Sequence, residues 1–218
     1  MSDRASDPRP AWRDLFDEPA LRRLARLASL RGGEELVWVG AGGEKLAKQL
    51  EKICEEKVKV RPDLEGIPKR SLGLIVAPEI VEQMGLEQAL KQLRGALETD
   101  GVLALAMRAA VGDDVPAEAR AFWEQRQHGP LDSVMQVLGR FSAIGLEALT
   151  VELAPLAPED EEPGEETRGP VAPAPSPVAP ASSPESSPIL RGVGLGLFIG
   201  RRLEAGSPPR WPRRAGME

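Results

Sequence analysis

Residues 35–56, ELVWVGAGGEKLAKQLEKICEE, decide how this chain is to be read. Leu36, Val37, Trp38 and Val39 form a short apolar run without alternation, the mark of a strand covered on both faces. Gly40, Ala41, Gly42 and Gly43 close it with a tight turn. Behind the turn, Leu46, Leu50, Ile53 and Cys54 recur at i, i+4, i+7 and i+8, which puts them on one face of an amphipathic helix. Buried strand, glycine turn and helix in this order begin a parallel sheet with helices packed on it. The turn also offers free backbone N–H groups at the positive end of a helix dipole, a natural place for a ligand.

Working outward, residues 1–10 read as disordered. A helix is expected over 17–30, with Asp17 as its cap, Pro19 in its first turn and an apolar stripe of Leu21, Leu24, Ala28 and Leu30. Arg22, Arg23 and Arg26 lie off that stripe and read as a solvated face. Gly32 and Gly33 stop the helix. Downstream, a short alternating strand spans 58–61, and the PDLEGIP segment, 62–68, cannot be regular structure. A second buried strand, SLGLIVA at 71–77, ends at Pro78. A helix follows, with Leu86, Leu90, Leu93 and Leu97 spaced at four, three and four. Thr99, Asp100 and Gly101 turn the chain into a third buried strand, 102–107. Asp114 and Pro116 open a helix with Ala119, Phe122 and Trp123. Pro130 and Asp132 open another, with Val134, Val137, Leu138 and Phe141 facing in, and Gly145 leads to a strand at 146–153. Alternating strands and helices imply right-handed crossovers and a parallel sheet.

Composition changes at residue 155. From 155 to 188 the chain is rich in Pro, Ala, Ser and Glu, with an acidic knot at 159–166, too little apolar area to offset its ordering entropy. The apolar run 189–199 returns to strand character, so 155–188 is an insertion between two strands. In it Gly192, Gly194 and Gly196 read as a strand packed close against a neighbour. The expected organisation is one domain from 11–154 plus 189–202, with a flexible basic tail over 203–218. Arg201, Arg202, Arg210, Arg213 and Arg214 cluster around Trp211 and read equally as a site for an acidic partner or as a solubilising tail.

The 218 residues carry a net charge of −6, which argues against a general nucleic-acid binder. One cysteine, Cys54, excludes a disulfide framework and a thiolate metal cluster, and reads as a small apolar filler. His128, the sole histidine, has no Ser/Asp partner in a recognisable motif, so no hydrolase triad is supported and no metal is expected. The first residues lack a signal-peptide core and no run is long enough to span a bilayer, so a cytoplasmic protein is expected. A nicotinamide dinucleotide fingerprint fails because its third small residue falls on Lys45, and no Gly-Lys-Ser/Thr follows for a Walker loop.

The order of elements and four phrases resemble class I S-adenosylmethionine-dependent methyltransferases. ELVWVGAGG resembles that family's first motif, PDLEGIPKRSLGLIVAPEIVEQM its loop and fourth strand, and LKQLRGALETDGVLALAM its following helix and strand. SVMQVLGRFSAIGLEALTVEL with GLGLFIGRR resembles the closing helix and antiparallel strand pair. The resemblance implies a Rossmann-like sandwich, mostly parallel with an antiparallel closing strand, and S-adenosylmethionine as cofactor. It implies that Gly40, Ala41 and Gly42 line the methionine part of the pocket and that Asp63, with Leu64 beside it, meets the ribose or the adenine. Pro78 and Glu79 would face the methyl acceptor.

Three departures bear on activity. The acid of the first motif corresponds to Trp38, the third glycine to Glu44, and one strand–helix unit is missing after the first helix. The strand at 58–61 can be the family's second, with Asp63 as ribose acid, or its third, with Asp63 at the adenine. Two readings follow. One is a methyltransferase-like module with a degenerate cofactor site, serving in protein interaction or regulation through 155–188 or the basic tail. The other is an active methyltransferase with an unknown small-molecule or protein acceptor, since methyl transfer from a sulfonium needs alignment more than a dedicated base.

Overall fold

The computed structural model describes residues 11–28, 34–112, 114–156 and 191–204. The segments read as a disordered N-terminus, most of the 155–188 insertion and most of the basic tail lie outside the described residues. So do Leu30, Gly32 and Gly33.

A 3-10 turn, Ala11–Phe16, leads into α1, Glu18–Ala28. The Asp17 carboxylate accepts the Ala20 N–H at 2.8 Å and caps that helix, as its position predicts. Then come β1 (Glu35–Val39), α2 (Glu44–Cys54), β2 (Val58–Arg61), β3 (Leu72–Ala77), α3 (Ile80–Met84) and α4 (Leu86–Ala96). The chain continues through β4 (Leu97–Ala110), α5 (Ala117–Arg126), α6 (Val134–Ala143), β5 (Leu146–Pro155) and β6 (Val193–Arg202). The sheet runs in the order β2-β1-β3-β4-β6-β5, parallel through β4, with β6 antiparallel to both of its neighbours. This is the mixed sheet expected from the sequence.

The sheet separates two cores. Leu36, Trp38, Leu74, Val76, Ala104 and Ala106 face the 3-10 turn, α1, α2 and α5. Val37, Val39, Ile75, Ala77, Leu103 and Leu105 face α3, α4 and α6. Every residue of β3 is buried, which is why its sequence shows no alternation. At the far end, the buried Arg202 guanidinium donates to the carbonyls of Arg94 (2.9 Å) and Leu97, tying β6 to the joint between α4 and β4. Gly194 and Gly196 sit so tightly that an added Cβ would lie 2.8 Å from Val111 and 2.5 Å from the Phe198 ring.

The open question about 58–61 is answered by pairing. β2 lies directly beside β1 and parallel to it, Leu36 opposite Val58 and Trp38 opposite Val60. In a doubly wound sheet that is the second strand's place, with the third outside it. Here nothing among the described residues pairs outside β2. The missing unit is replaced by the loop 62–71, which turns straight back to β3. Its Leu64 and Ile67 pack against the α4-side core, and Arg70 and Ser71 donate their N–H groups to Gly95 and Ala96 at the end of α4.

Local details differ from the sequence reading. The helix expected after β3 is two helices, broken at Gly85 (φ 78°), where an added Cβ would meet the His128 carbonyl oxygen at 2.9 Å. β4 begins at Leu97 rather than after a turn, because Thr99–Gly101 is absorbed as an irregularity in its pairing with β3. Asp132 does not start α6. Ser133 does, in a capping box with Gln136, while the buried Asp132 takes both bonds of the Arg140 fork at 2.7 and 3.2 Å. Arg22 and Arg23 pair at the surface with Glu18 and Glu152, on the solvated face expected. Arg201 and Arg202, by contrast, belong to β6 and donate to the carbonyls of Leu27, Arg94 and Leu97, so they are not part of a loose basic cluster.

If loop 62–71 does a helix's covering work, Ile67→Ala costs about 1–2 kcal/mol, less than for a fully buried isoleucine. Chemical denaturation should show this, with Glu65→Ala, at an exposed position of the same loop, within about 0.5 kcal/mol of the parent.

A candidate site at the carboxyl ends of β1 and β3

β1 and β3 are adjacent and in register, so their ends deliver Gly40 and Pro78 to the same rim. Gly40 (φ 112°) and Gly42 (φ 73°) hold backbone conformations that other residues adopt only with strain, which accounts for a glycine turn here. The Gly40 N–H is taken by the Arg61 carbonyl of β2 at 2.9 Å. Beyond Pro78, the Glu79 carboxylate reaches back across the rim: its Oε2 lies 3.8 Å from a Cβ placed on Gly40. Four of the expected residues, Gly40, Ala41, Gly42 and Pro78, are therefore brought to one place.

Asp63 and Leu64 lie in the loop that follows β2, two and three residues beyond Arg61. The Asp63 carboxylate accepts the N–H of Glu65 at 2.8 Å in a local turn. It also lines, with Leu64, Ile67, Lys91 and Gln92, a cavity of about 550 Å³ over α4. Leu64 is committed to the core beneath it.

Trp38 occupies the position of the first-motif acid and is fully buried (0% exposed). Its indole runs under the glycine turn, so close that a Cβ on Gly43 would lie 1.9 Å from Nε1. That N–H has no partner, which costs about 1–3 kcal/mol. Burying 150–250 Å² of ring at about 25 cal/mol/Å² contributes roughly 4–6 kcal/mol, so packing wins. Glu44, at the third-glycine position, is exposed in the first turn of α2, where a carboxylate suits the helix dipole.

The sequence reading missed what covers the turn. The 3-10 turn lays Trp12 and Phe16 on Trp38, with ring centroids 5.8 and 5.2 Å away. Trp12 Nε1 donates to Glu79 Oε1 at 2.7 Å, and Arg13 donates to the Gly42 carbonyl at 3.0 Å. The signal was present in the sequence: Trp12, Leu15 and Phe16 fall at i, i+3 and i+4, a helical face ahead of the first expected helix. Further along the rim, Arg108 at the end of β4 pairs with Glu82 of α3 and lies 4.3 Å over the Trp123 ring. Among the described residues no cluster of His, Cys, Asp and Glu could hold a metal ion, and no helix is long and apolar enough to cross a membrane.

Solved structures share this architecture. A geranyl diphosphate C-methyltransferase from Streptomyces coelicolor, in complex with Mg2+, geranyl diphosphate and S-adenosyl-L-homocysteine, is 12% identical and superposes with a TM-score of 0.52, over 85% of this chain and 77% of that one. The chain has the class I S-adenosylmethionine-dependent methyltransferase fold. The YcgJ protein of Bacillus subtilis shares it at 14% identity and a TM-score of 0.53, over 86% and 100% of the two chains. So does a [4+2]-cyclase, SpnF, at 16% identity and a TM-score of 0.53, over 91% and 86%. No protein-family model matches the sequence, and no curated protein matches it. At the carboxyl-end rim of this sheet, Trp38, the residue that the sequence resemblance sets against the first-motif acid, lies buried under the glycine turn with the 3-10 turn packed on it.

Two outcomes test this geometry. Gly43→Ala drives a methyl group into the Trp38 ring and costs about 2–3 kcal/mol, whereas in a Trp38→Val background the same change costs less than about 1 kcal/mol. Cys54, half-buried at the end of α2, has its thiol pushed up to about 11 by burial and by the nearby Glu56. The folded chain therefore holds this proton more tightly than the unfolded one. The resulting stability is complete below about pH 8.5 and is lost as pH rises toward 11. Alkylation of Cys54 at pH 8 should run about a hundredfold slower than that of free cysteine.

Proposed function

We propose that this chain is a methyltransferase-fold protein that does not transfer methyl groups and serves as an interaction or regulatory module. The observation that carries the reading is Trp38. An acid at this place supplies an acceptor beneath the glycine turn, while an indole supplies only a donor, and this one is sealed under Gly43. The acids left on the rim are engaged elsewhere, Glu79 with Trp12 and Glu82 with Arg108. Asp63, with Glu65 as a poorer candidate for meeting a nucleoside, holds a local turn beside the cavity over α4. With no strand outside β2 among the described residues, the adenosine side of the pocket also lacks a strand as its wall. Partner contact is placed in the acidic, proline-rich 155–188 segment or in the basic tail, whose composition suits charged, extended recognition.

A second reading, an active methyltransferase, is favoured by one observation: the turn keeps Gly40 and Gly42 at positive φ beside Pro78. Gly40, Ala41, Gly42 and Pro78 would then hold the methionine end of S-adenosylmethionine, and Asp63 with Leu64 its nucleoside.

Because a structural neighbour holds S-adenosyl-L-homocysteine, that ligand and S-adenosylmethionine are the probes. Calorimetric titration of the full chain is expected to give no saturable heat up to about 1 mM of either ligand. Saturable binding that disappears in Asp63→Ala would decide for the enzyme.

A further inference from the structure

We propose that the Ala11–Phe16 turn is an autoinhibitory strap: Trp12, latched to Glu79, and Arg13, latched to Gly42, close the rim of the sheet against a nucleoside-sulfonium ligand, and release of the latch opens it. The inference rests on the reading above that the full chain as it stands holds no cofactor. It adds which part of the obstruction moves.

Two obstructions differ in kind. Trp38 belongs to β1, is paired on both sides through β2 and β3, and cannot leave without unfolding the sheet. The strap belongs to no sheet. It is a six-residue 3-10 helix, a form with poor hydrogen-bond geometry that persists only in short pieces. Its leading end is held by the packing of Trp12, 5% exposed, on Trp38 and by two side-chain bonds to groups 67 and 29 residues away, Trp12 Nε1 to Glu79 Oε1 (2.7 Å) and Arg13 to the Gly42 carbonyl (3.0 Å). Both acceptors lie on the rim that Gly40 and Pro78 build. The strap thus uses the same groups that a ligand seated over the turn would meet.

The chain can hinge at one defined place. Asp17 caps α1 by its own carboxylate (2.8 Å to the Ala20 N–H), and its carbonyl accepts the Leu21 N–H at 2.9 Å. The helix therefore keeps its cap when the residues before it lift. Phe16, 1% exposed and packed edge-on against Trp38, is the pivot. Trp12 and Arg13 are the moving end. Lifting Trp12 uncovers Glu79, whose second oxygen already faces Gly40, and so restores an acceptor between the glycine turn and the end of β3. That acceptor is not the missing acid of β1, so the opened site is weak.

The test titrates S-adenosyl-L-homocysteine into the full chain and into Trp12→Ala, Trp12→Phe and Trp12→Phe/Arg13→Ala, each checked for a cooperative thermal transition and each keeping the Glu79 carboxylate. Trp12→Phe keeps an aromatic ring on Trp38 but lacks the N–H that Glu79 accepts, and serves should Trp12→Ala fail to fold. Expected is saturable binding in the strap variants at least about tenfold tighter than any in the parent. Trypsin cleavage after Arg13 should also run about tenfold faster in Glu79→Ala than in the parent, because the latch no longer holds that segment closed. Folded variants that bind nothing overturn the strap and leave the Trp38 reading standing. Unchanged cleavage after Arg13 overturns the latch. Saturable binding by the parent chain overturns both the non-catalytic reading and the strap.

Discussion

The contact between the Trp38 indole and the backbone of Gly43 governs the business end of this sheet. β1 is flanked by β2 and β3, so its side chains have fixed directions, and position 38 points to the α2 side beneath the turn. An indole there needs a neighbour without a Cβ, and Gly43 supplies it. It also needs apolar company above, and the strap supplies that with Trp12 and Phe16. The strap in turn must satisfy the Trp12 N–H, which Glu79 does from the end of β3. One large residue on β1 thus accounts for the glycine that follows it, the aromatic turn that precedes α1 and the engagement of the acid on the neighbouring strand.

The second constraint is economy on the other edge. A doubly wound sheet ordinarily covers both faces with helices, one for each crossover. After β2 this chain returns to β3 in ten residues, too few for a strand and a helix. The α4-side core over β1 is closed instead by Leu64 and Ile67, and the loop is anchored by bonding its last N–H groups to the carbonyls that end α4. Those carbonyls would otherwise need water. Asp63, two residues beyond β2, holds a turn of this loop and lines the cavity over α4.

What could be read from the sequence divides along the range of the forces involved. β1, β3 and α2 were legible because their apolar spacing is set by local geometry and both faces of the sheet are buried. The break at Gly85 was not legible, since it answers to the His128 carbonyl 43 residues away. Nor was the cap of α6, where Asp132 and Ser133 are both good candidates and only the position of Arg140 decides between them. The glycine turn of the candidate site was legible as a turn. Its closure was not, because Trp12 and Glu79 meet across 67 residues and nothing in either neighbourhood announces the other.

The polar groups of the rim are bonded within the chain itself. In an open site, acids and amides at the carboxyl ends of the strands wait for a ligand and are satisfied by water meanwhile. Here Glu79 has Trp12, the Gly42 carbonyl has Arg13 and Glu82 has Arg108. An intramolecular partner acts at a high effective concentration, so a free ligand must outcompete it rather than only displace water. Each such bond is worth little by itself, about 0.5–1.5 kcal/mol net, but they act on the same few atoms. The sheet and its helices need none of these three bonds to form, since their cores lie below the rim. The architecture is therefore indifferent to whether the rim faces a ligand or its own chain, and the choice falls to a few side chains whose exchange leaves the fold intact.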